Sequence, residues 1–209
     1  MKKYFDWGYI LIPAMLFLFS LNLFAENPGT AIIKIKNRIR LIKSASSKFK
    51  IDYKALCAVI YTERTLNYNW EDKALDNVLA EVGLNSSIGF CQVKIKTAYW
   101  IENQLNYTQS KFYCGEKYKH ILCVSNSPEE IIRKLNNDSL NILYAAAYIK
   151  IMTNQWEKAG CAIDKKPDII GTLYSTGLFN IDGAERKPNR NPSPNEFGKK
   201  VKMSFGLFK

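Results

Sequence analysis

The residue of greatest chemical interest is Glu63, a carboxylate that shares one face of a predicted helix with apolar side chains. It lies in the stretch ALCAVIYTER, residues 55–64. Leu56 and Ile60 precede it at spacings that place all three side chains on one side of a helix. A buried carboxylate is costly unless it is paired or protonated. Glu63 is therefore a candidate general acid, although a rim position that reaches water is the ordinary explanation.

The position of Glu63 along its helix bears on its protonation. The last turn of a helix disfavours an ionised carboxylate because the negative end of the helix dipole lies there. Desolvation acts in the same direction, so the sequence predicts a raised pKa for Glu63, as a general acid at neutral pH requires. The neighbouring Arg64 would lower that pKa if it approached the carboxylate. Adjacent helical residues point about 100° apart, so we expect Arg64 to point away.

A second candidate segment is SSIGFCQVKIKTA, residues 86–98. It contains two serines and Gly89, then the amide of Gln92, and then a helix that we expect to begin near Thr97. Glycine allows a backbone to approach a ligand closely, while a plain turn between helices explains the same residues. The segment is a candidate wall for a binding cleft.

Taken in order, the segments of this chain resemble the lytic transglycosylases of the goose-lysozyme-like fold. The order is Glu63 at the end of an apolar helix, then SxxGxxQxxxxTA, then NILYAAAYIKIM, then LYSTG. The resemblance covers about residues 50–180. It implies that Glu63 is the catalytic acid and base, that Ser87 and Gln92 contact the glycan, and that the Tyr174 hydroxyl positions the glutamate.

Four positions depart from the pattern of that family. Arg64 follows the glutamate where the family usually has serine, and GFCQ at residues 89–92 replaces Gly-Leu-Met-Gln. Ser175 replaces the asparagine that usually follows the tyrosine. The spacing between glutamate and glutamine is also longer than usual, so residues 67–82 are expected to form an inserted helix.

The resemblance implies a peptidoglycan lyase that needs neither cofactor nor metal. Its substrate would be the glycan strand, cleaved between N-acetylmuramic acid and N-acetylglucosamine. One glutamate would first protonate the glycosidic oxygen and then deprotonate the muramyl C6 hydroxyl, which gives a 1,6-anhydro end.

Two alternatives remain open at this stage. A lysozyme-type muramidase would hydrolyse the same bond with a positioned water, often with a second carboxylate. Asp76, Glu81 and Glu102 are candidates for that group, although a solvated helix face explains each of them. The alternative of another class is a non-catalytic peptidoglycan-binding protein, which the departures at Arg64 and Ser175 suggest.

The elements that must position these residues are predicted to be mainly α-helical. Residues 26–49 predict a basic helix with isoleucines at every third or fourth position, and residues 138–160 predict the longest and most apolar helix. Shorter helices are expected after Ser127, after Pro167 and at the carboxyl terminus, with a loop between residues 106 and 126. The resemblance adds a lysozyme-like domain with a substrate groove over residues 50–209.

The amino terminus has the composition of an export signal. A basic start, MKKYFDW, precedes the uncharged GYILIPAMLFLFSLNLFA, which ends at Ala25. This order predicts a signal peptide over residues 1–25, and a retained membrane anchor is the alternative, because the stretch reaches the lower length limit for a span. Both place the remaining chain outside the cytoplasm, in the periplasm, the cell envelope or the medium.

The net charge of +11 and the five cysteines bear on partners and compartment. An exported basic protein suits an anionic wall polymer or membrane surface, here through the basic helix, rather than nucleic acid; mere solubility explains the charge equally well. Cys114 and Cys123 bracket a polar segment and are predicted to form a disulfide. The single histidine, His120, and the lack of a CxxC pair argue against a zinc site.

Overall fold

The computed structural model describes residues 26–66, 87–180 and 182–209, and within them the chain is mainly helical, as predicted. The predicted export segment and the predicted inserted helix lie outside these ranges. The described helices are α1 (Pro28–Asn37), α2 (Ile39–Phe49), α3 (Tyr53–Leu66), α4 (Ile95–Asn106), α5 (Pro128–Asn136), α6 (Asp138–Lys158), α7 (Pro167–Thr176) and α8 (Glu196–Phe205). No helix of these ranges has the length and apolar character needed to cross a membrane.

The only sheet among the described residues is a small antiparallel hairpin. Its strands are β1 (Ser87–Ile88) and β2 (Val93–Lys94), in which Ser87 pairs with Lys94 and Ile88 pairs with Val93. Helix α4 follows immediately, two residues earlier than the sequence predicts. The segment expected to be a turn between helices is therefore a hairpin with its own hydrogen-bonded register.

Helix α6 forms the centre of the fold; it begins at Asp138 as predicted and ends at Lys158, two residues before the predicted end at Gly160. Residues Tyr144 to Ala147 are fully buried, which is typical of a helix surrounded by others rather than one with a solvent face. Helices α2, α3, α4, α5 and α7 all pack against it. The side chain of Asn137 caps its first turn by accepting a hydrogen bond from the backbone N–H of Leu140, at 3.1 Å.

Helices α7 and α8 interlock closely and pack together against α3. A Cβ atom at Gly198 would lie 2.1 Å from the carbonyl oxygen of Asp168, and one at Gly171 would lie 2.6 Å from Val201. The two glycines therefore permit a helix spacing that larger residues would prevent. This contact fixes α7 relative to α3, the helix that carries Glu63.

The predicted basic helix is in fact two helices, because the chain leaves helical geometry at Arg38. Its isoleucine stripe still faces inward, since Ile35 and Ile42 are fully buried on either side of the break. At the break, the Arg38 Nε donates a hydrogen bond to the carboxylate of Asp138, at 2.6 Å. The pair ties the amino-terminal helices to the first residue of α6.

Glu102 is fully buried, so the expectation that it lies on a solvent-exposed helix face is wrong. Its carboxylate accepts hydrogen bonds from the backbone N–H of Ser125 at 2.7 Å and from the Ser125 hydroxyl at 2.8 Å. The Lys134 Nζ lies 3.2 Å away, and the Tyr144 hydroxyl donates a short hydrogen bond. Burial, together with that hydrogen bond, raises the pKa of Tyr144. Glu102 thus joins α4, α5, α6 and the loop before α5.

The predicted disulfide between Cys114 and Cys123 is absent, and both residues are free thiols. The Cys114 thiol faces the carbonyl of Phe112, and the Cys123 thiol faces the carbonyl of His120. Burial raises the pKa of Cys114 to about 11, so its thiol stays protonated at neutral pH. The loop is held instead by the Glu102 hydrogen bonds and by its own buried side chains, Phe112, Tyr118 and Leu122.

The Glu102 network predicts a large loss of stability when its charge is removed. Glu102→Gln leaves the Lys134 ammonium without its buried counter-charge, and we expect the free energy of unfolding to fall by about 3 kcal/mol. Glu130→Gln is the matched control, because Glu130 also pairs with Lys134 but at the surface, where ion pairs contribute little. Urea denaturation at pH 7 compares them, and equal losses would contradict the assigned role of Glu102.

Candidate functional site

Glu63 lies in the last turn of α3 and is buried, with 7% of its surface exposed. Leu56 and Ile60 on the same face are fully buried, so the predicted stripe is confirmed and the rim explanation is wrong. The carboxylate is thus largely shielded from water at the carboxyl end of a helix, where the helix dipole disfavours negative charge.

The hairpin turn at residues 89–92 forms the second part of the site. Gly89 has a φ of +78° and Gln92 a φ of +52°, and the backbone N–H of Gln92 donates to the carbonyl of Gly89 at 3.1 Å. Phe90 and Cys91 between them are buried. The turn therefore points two of its side chains into the protein rather than toward solvent.

Asn141, in the first turns of α6, holds this hairpin in place. Its Nδ2 donates to the carbonyls of Ile88 and Leu135, each at 2.9 Å, and its Oδ1 accepts from the backbone N–H of Cys91 at 2.6 Å. No local sequence pattern predicted a role for Asn141. The available signal was a single amide at the start of the most apolar helix, four residues before the alanine run.

Gly89 is required by the protein's own packing. A Cβ atom there would lie 2.2 Å from the carbonyl oxygen of Leu135 and 2.4 Å from the Nδ2 of Asn141. The close approach that the sequence suggested for a ligand is made instead by the end of α5 and by α6. Glycine at this position sets how deeply the turn sits against the helices.

Tyr174 on α7 reaches the same turn, because its hydroxyl donates a hydrogen bond to the carbonyl of Cys91 at 3.1 Å. Burial raises the pKa of Tyr174 well above its usual value, and the nearby Cys91 and Glu63 act in the same direction. Burial also raises the pKa of Cys91, with Arg64 opposing and Glu63 adding to the rise. Glu63 therefore lies within electrostatic range of the contact between Tyr174 and Cys91.

Ser87 and Gln92, predicted to contact glycan, are both half-buried in the hairpin. Ser87 begins β1. The Gln92 Nε2 donates to the carbonyl of Gly89 at 3.2 Å, so part of the amide is used within the turn. The structure brings Gln92 into the same turn that Tyr174 and Asn141 bind, and a ligand contact for Ser87 or Gln92 stays a prediction.

Arg64, the main departure from the family pattern, is 4% exposed and directed to the turn and to the start of the described chain. Its Nε pairs with the carboxylate of Glu26, and its Nη1 donates to the carbonyl of Phe90 at 3.3 Å. The guanidinium also lies over the Phe90 ring, 4.8 Å from the centroid. An arginine at this position thus has a structural use that serine could not supply.

A row of aromatic rings extends away from Tyr174 across the domain. Tyr148 lies 5.7 Å from Tyr174, Trp100 lies 6.1 Å from Tyr148, and Phe179 lies 6.2 Å from Trp100, measured between ring centroids. All four residues keep part of their surface exposed. Aromatic side chains can pack against the apolar face of a sugar, and nothing in the sequence spacing indicated the row.

Two cavities formed by described residues lie elsewhere. One of about 680 Å³ lies between α7 and residues 180–195, and one of about 510 Å³ lies between α6 and residues 162–165. Neither is lined by Glu63, Gln92 or Tyr174. The candidate site is therefore defined by the convergence of α3, the hairpin and α7, and not by these cavities.

Comparison with known protein families finds no family model that matches this chain, and comparison with curated proteins finds no match either. The interpretation of the site consequently depends on its residues and their geometry.

The packing of the turn predicts a strong effect of adding one methyl group at Gly89. Gly89→Ala combines backbone strain with a clash against the Leu135 carbonyl, and we expect the free energy of unfolding to fall by at least about 3 kcal/mol. Gly183→Ala is the control, because Gly183 has a similar φ of +81° but no atom within 4 Å of the added Cβ. It should cost about 1 kcal/mol. Thermal unfolding of the two variants measures the difference, and similar losses would refute the packing role.

Proposed function

We propose that this protein is a peptidoglycan lytic transglycosylase with a lysozyme-like fold, and that Glu63 is its acid and base. The observation that carries the proposal is the buried Glu63 at the end of α3, within electrostatic range of the Tyr174 hydrogen bond to the turn. The turn, the glutamate and the tyrosine belong to three separate elements that lie within electrostatic range of one another, and this proximity supports the proposal.

In the first step, Glu63 would act as a general acid. Its carboxyl proton passes to the glycosidic oxygen between N-acetylmuramic acid and N-acetylglucosamine as the bond from that oxygen to the anomeric carbon breaks. The acetamido oxygen of the muramyl residue assists at the anomeric carbon. A buried position favours the protonated carboxyl that this step requires.

In the second step, the same carboxylate would act as a general base. It removes the proton from the C6 hydroxyl of the muramyl residue. The C6 oxygen then bonds to the anomeric carbon as the bond between that carbon and the acetamido oxygen breaks. The products are a 1,6-anhydromuramyl end and a free N-acetylglucosamine hydroxyl, and Glu63 is again protonated. The two steps need one carboxylate and no metal or cofactor.

Hydrolysis by a muramidase remains the second enzyme hypothesis. Of its three candidate second carboxylates, Glu102 is engaged by Ser125, Lys134 and Tyr144 in the interior, so it is not available to position a water. Asp76 and Glu81 lie outside the described residues. The engagement of Glu102 therefore removes one of the three candidates for a second carboxylate.

The surroundings of the site suit an extended glycan. The aromatic row from Tyr174 to Phe179 contains partly exposed rings with neighbouring centroids 5.7–6.2 Å apart, and Ser87 and Gln92 supply polar groups at the hairpin. In this proposal the row binds sugar rings on one side of the scissile bond. Residues 1–25 would serve as a signal peptide or anchor that delivers the protein to the periplasm, the cell envelope or the medium.

The basic surface of α1 and α2 would retain the protein near an anionic wall polymer or membrane surface. Two of its cations are engaged within the protein, Lys34 with Glu26 and Arg38 with Asp138. The exposed cations of these helices include Lys36, Arg40 and Lys48. Their charge affects encounter and retention rather than chemistry.

The proposed role of Glu63 predicts that Glu63→Gln abolishes cleavage without loss of folding. The amide has the shape of the carboxyl but cannot exchange the proton, so clearing of a peptidoglycan suspension should fall at least about a hundredfold. Glu196→Gln, at an exposed ion pair on α8, is the control and should clear normally. Equal clearing by both variants would show that Glu63 is not the catalytic acid and base.

Product masses from the same digest distinguish the three hypotheses. A transglycosylase releases fragments one water lighter than those with reducing ends. Reducing ends would establish the muramidase, while binding to peptidoglycan without clearing by the unaltered protein would favour the non-catalytic alternative.

The basic surface predicts that retention on cell walls depends strongly on salt. Between about 0.1 and 1 M salt the screening length falls from about 10 to 3 Å, so sedimentation with purified walls should decrease steeply over that range. Replacement of Lys36, Arg40 and Lys48 by glutamine should weaken the dependence of sedimentation on salt concentration. Salt-independent sedimentation of the unaltered protein would contradict an electrostatic contribution.

A further inference from the structure

The residue that begins the described chain, Glu26, binds the end of α3 through both its main chain and its side chain. Its backbone N–H donates to the carbonyl of Arg64 at 3.0 Å. This caps one of the carbonyls that a helix end leaves without an intrahelical partner. Its carboxylate pairs with the Arg64 Nε. Glu26 is therefore attached to the residue that follows the candidate acid.

Arg64, which Glu26 binds, also contacts the hairpin turn. Its Nη1 donates to the Phe90 carbonyl, and its guanidinium lies over the Phe90 ring. The Arg38 guanidinium lies over the same ring, 4.5 Å from the centroid, and is itself fixed by Asp138. Two cations, each held by a carboxylate, thus hold the ring of Phe90, an arrangement favoured by its negative π face.

The pair between Glu26 and Arg64 is charged and largely shielded from water. The two side chains are 8% and 5% exposed. Burial raises the pKa of Glu26, but hydrogen bonds and charge from Arg64 and Lys34 outweigh it and hold that pKa below its usual value. The carboxylate is therefore ionised at neutral pH. Removal of either partner would leave a shielded charge without compensation.

We propose that Glu26, Arg64 and Phe90 form a clamp that positions the turn at residues 89–92 relative to Glu63. Arg64 follows Glu63 on the same helical turn, and the turn it holds carries the carbonyl that Tyr174 binds. Loosening the clamp would let the hairpin shift against the end of α3. Glu26 and Arg64 are positioning residues in this inference, which explains the arginine at position 64. Its consequence for activity rests on the proposed function, whereas its consequence for the turn does not.

Hydrogen–deuterium exchange tests the clamp without any assay of activity. In Glu26→Gln and in Arg64→Lys, which keeps the charge but loses the planar fork, amides of residues 88–94 should exchange about tenfold faster than in the unaltered protein. Amides in the middle of α6 should stay protected. Lys34→Gln is the matched control, because Lys34 pairs with Glu26 but is more exposed than Arg64; it should leave the turn unchanged.

Two results would overturn the clamp. The first is unchanged exchange of residues 88–94 in both variants, and the second is a uniform rise that includes α6, which indicates general destabilisation only. If Glu26→Gln fails to fold, Glu26→Asp takes its place, because it keeps the charge but shortens the side chain. This variant should also speed amide exchange in the turn while leaving α6 protected.

Glycan cleavage by the same proteins separates the inference from the proposed function. Turnover by Arg64→Lys should fall but exceed that of Glu26→Gln, since the retained charge still neutralises Glu26, while Lys34→Gln should cleave normally. A cleaving protein whose turnover is unaffected by Glu26→Gln and Arg64→Lys would refute positioning by the clamp. Absence of cleavage by the unaltered protein would refute the proposed function alone, and the exchange result would still decide the clamp.

Discussion

The interaction on which the candidate site depends most is the set of three hydrogen bonds made by the buried side chain of Asn141. A single amide on the central helix satisfies two carbonyls and one N–H of the hairpin and the end of α5. Without it, these buried backbone groups would lose their partner at a cost of about 1–3 kcal/mol each. The hairpin has only two residues in each strand, which is too few for strand pairing alone to fix its position. Its placement against the helices therefore depends on the Asn141 side chain and on the absence of a side chain at Gly89.

Two ionic side chains buried among the described residues offset the cost of burial in different ways. Glu102 is surrounded by hydrogen-bond donors and a cation, and Arg64 has a carboxylate, a carbonyl and an aromatic face. Replacement of one member of such a network destabilises the fold, because the remaining partners stay buried without a hydrogen bond or a counter-charge. The polar groups therefore specify the relative placement of α3, α6 and the hairpin more sharply than apolar contacts do, since apolar packing tolerates small shifts.

The sequence predicted what depends on periodicity and missed what depends on contacts between distant residues. The helical class, the start of α6 and the buried face of Glu63 follow from spacing within one segment, and all are confirmed. Asn141, the partner of Arg64 and the aromatic row join residues far apart in the chain, so no local pattern contains them. Glu102 was expected in water because a lone glutamate on a helix usually is, and its partners only become adjacent when the fold forms. The break at Arg38 was hidden because the isoleucine stripe continues in phase across it.

The free thiols have a consequence for the conditions in which the fold can persist. All five cysteines are unpaired, and Cys57 and Cys91 are sealed in the interior. No covalent link between described residues has to form before the loop at residues 107–126 can adopt its structure, since hydrogen bonds to Glu102 and buried aromatic side chains hold it. The contacts between described residues therefore include no disulfide bond that a reductant such as glutathione would break.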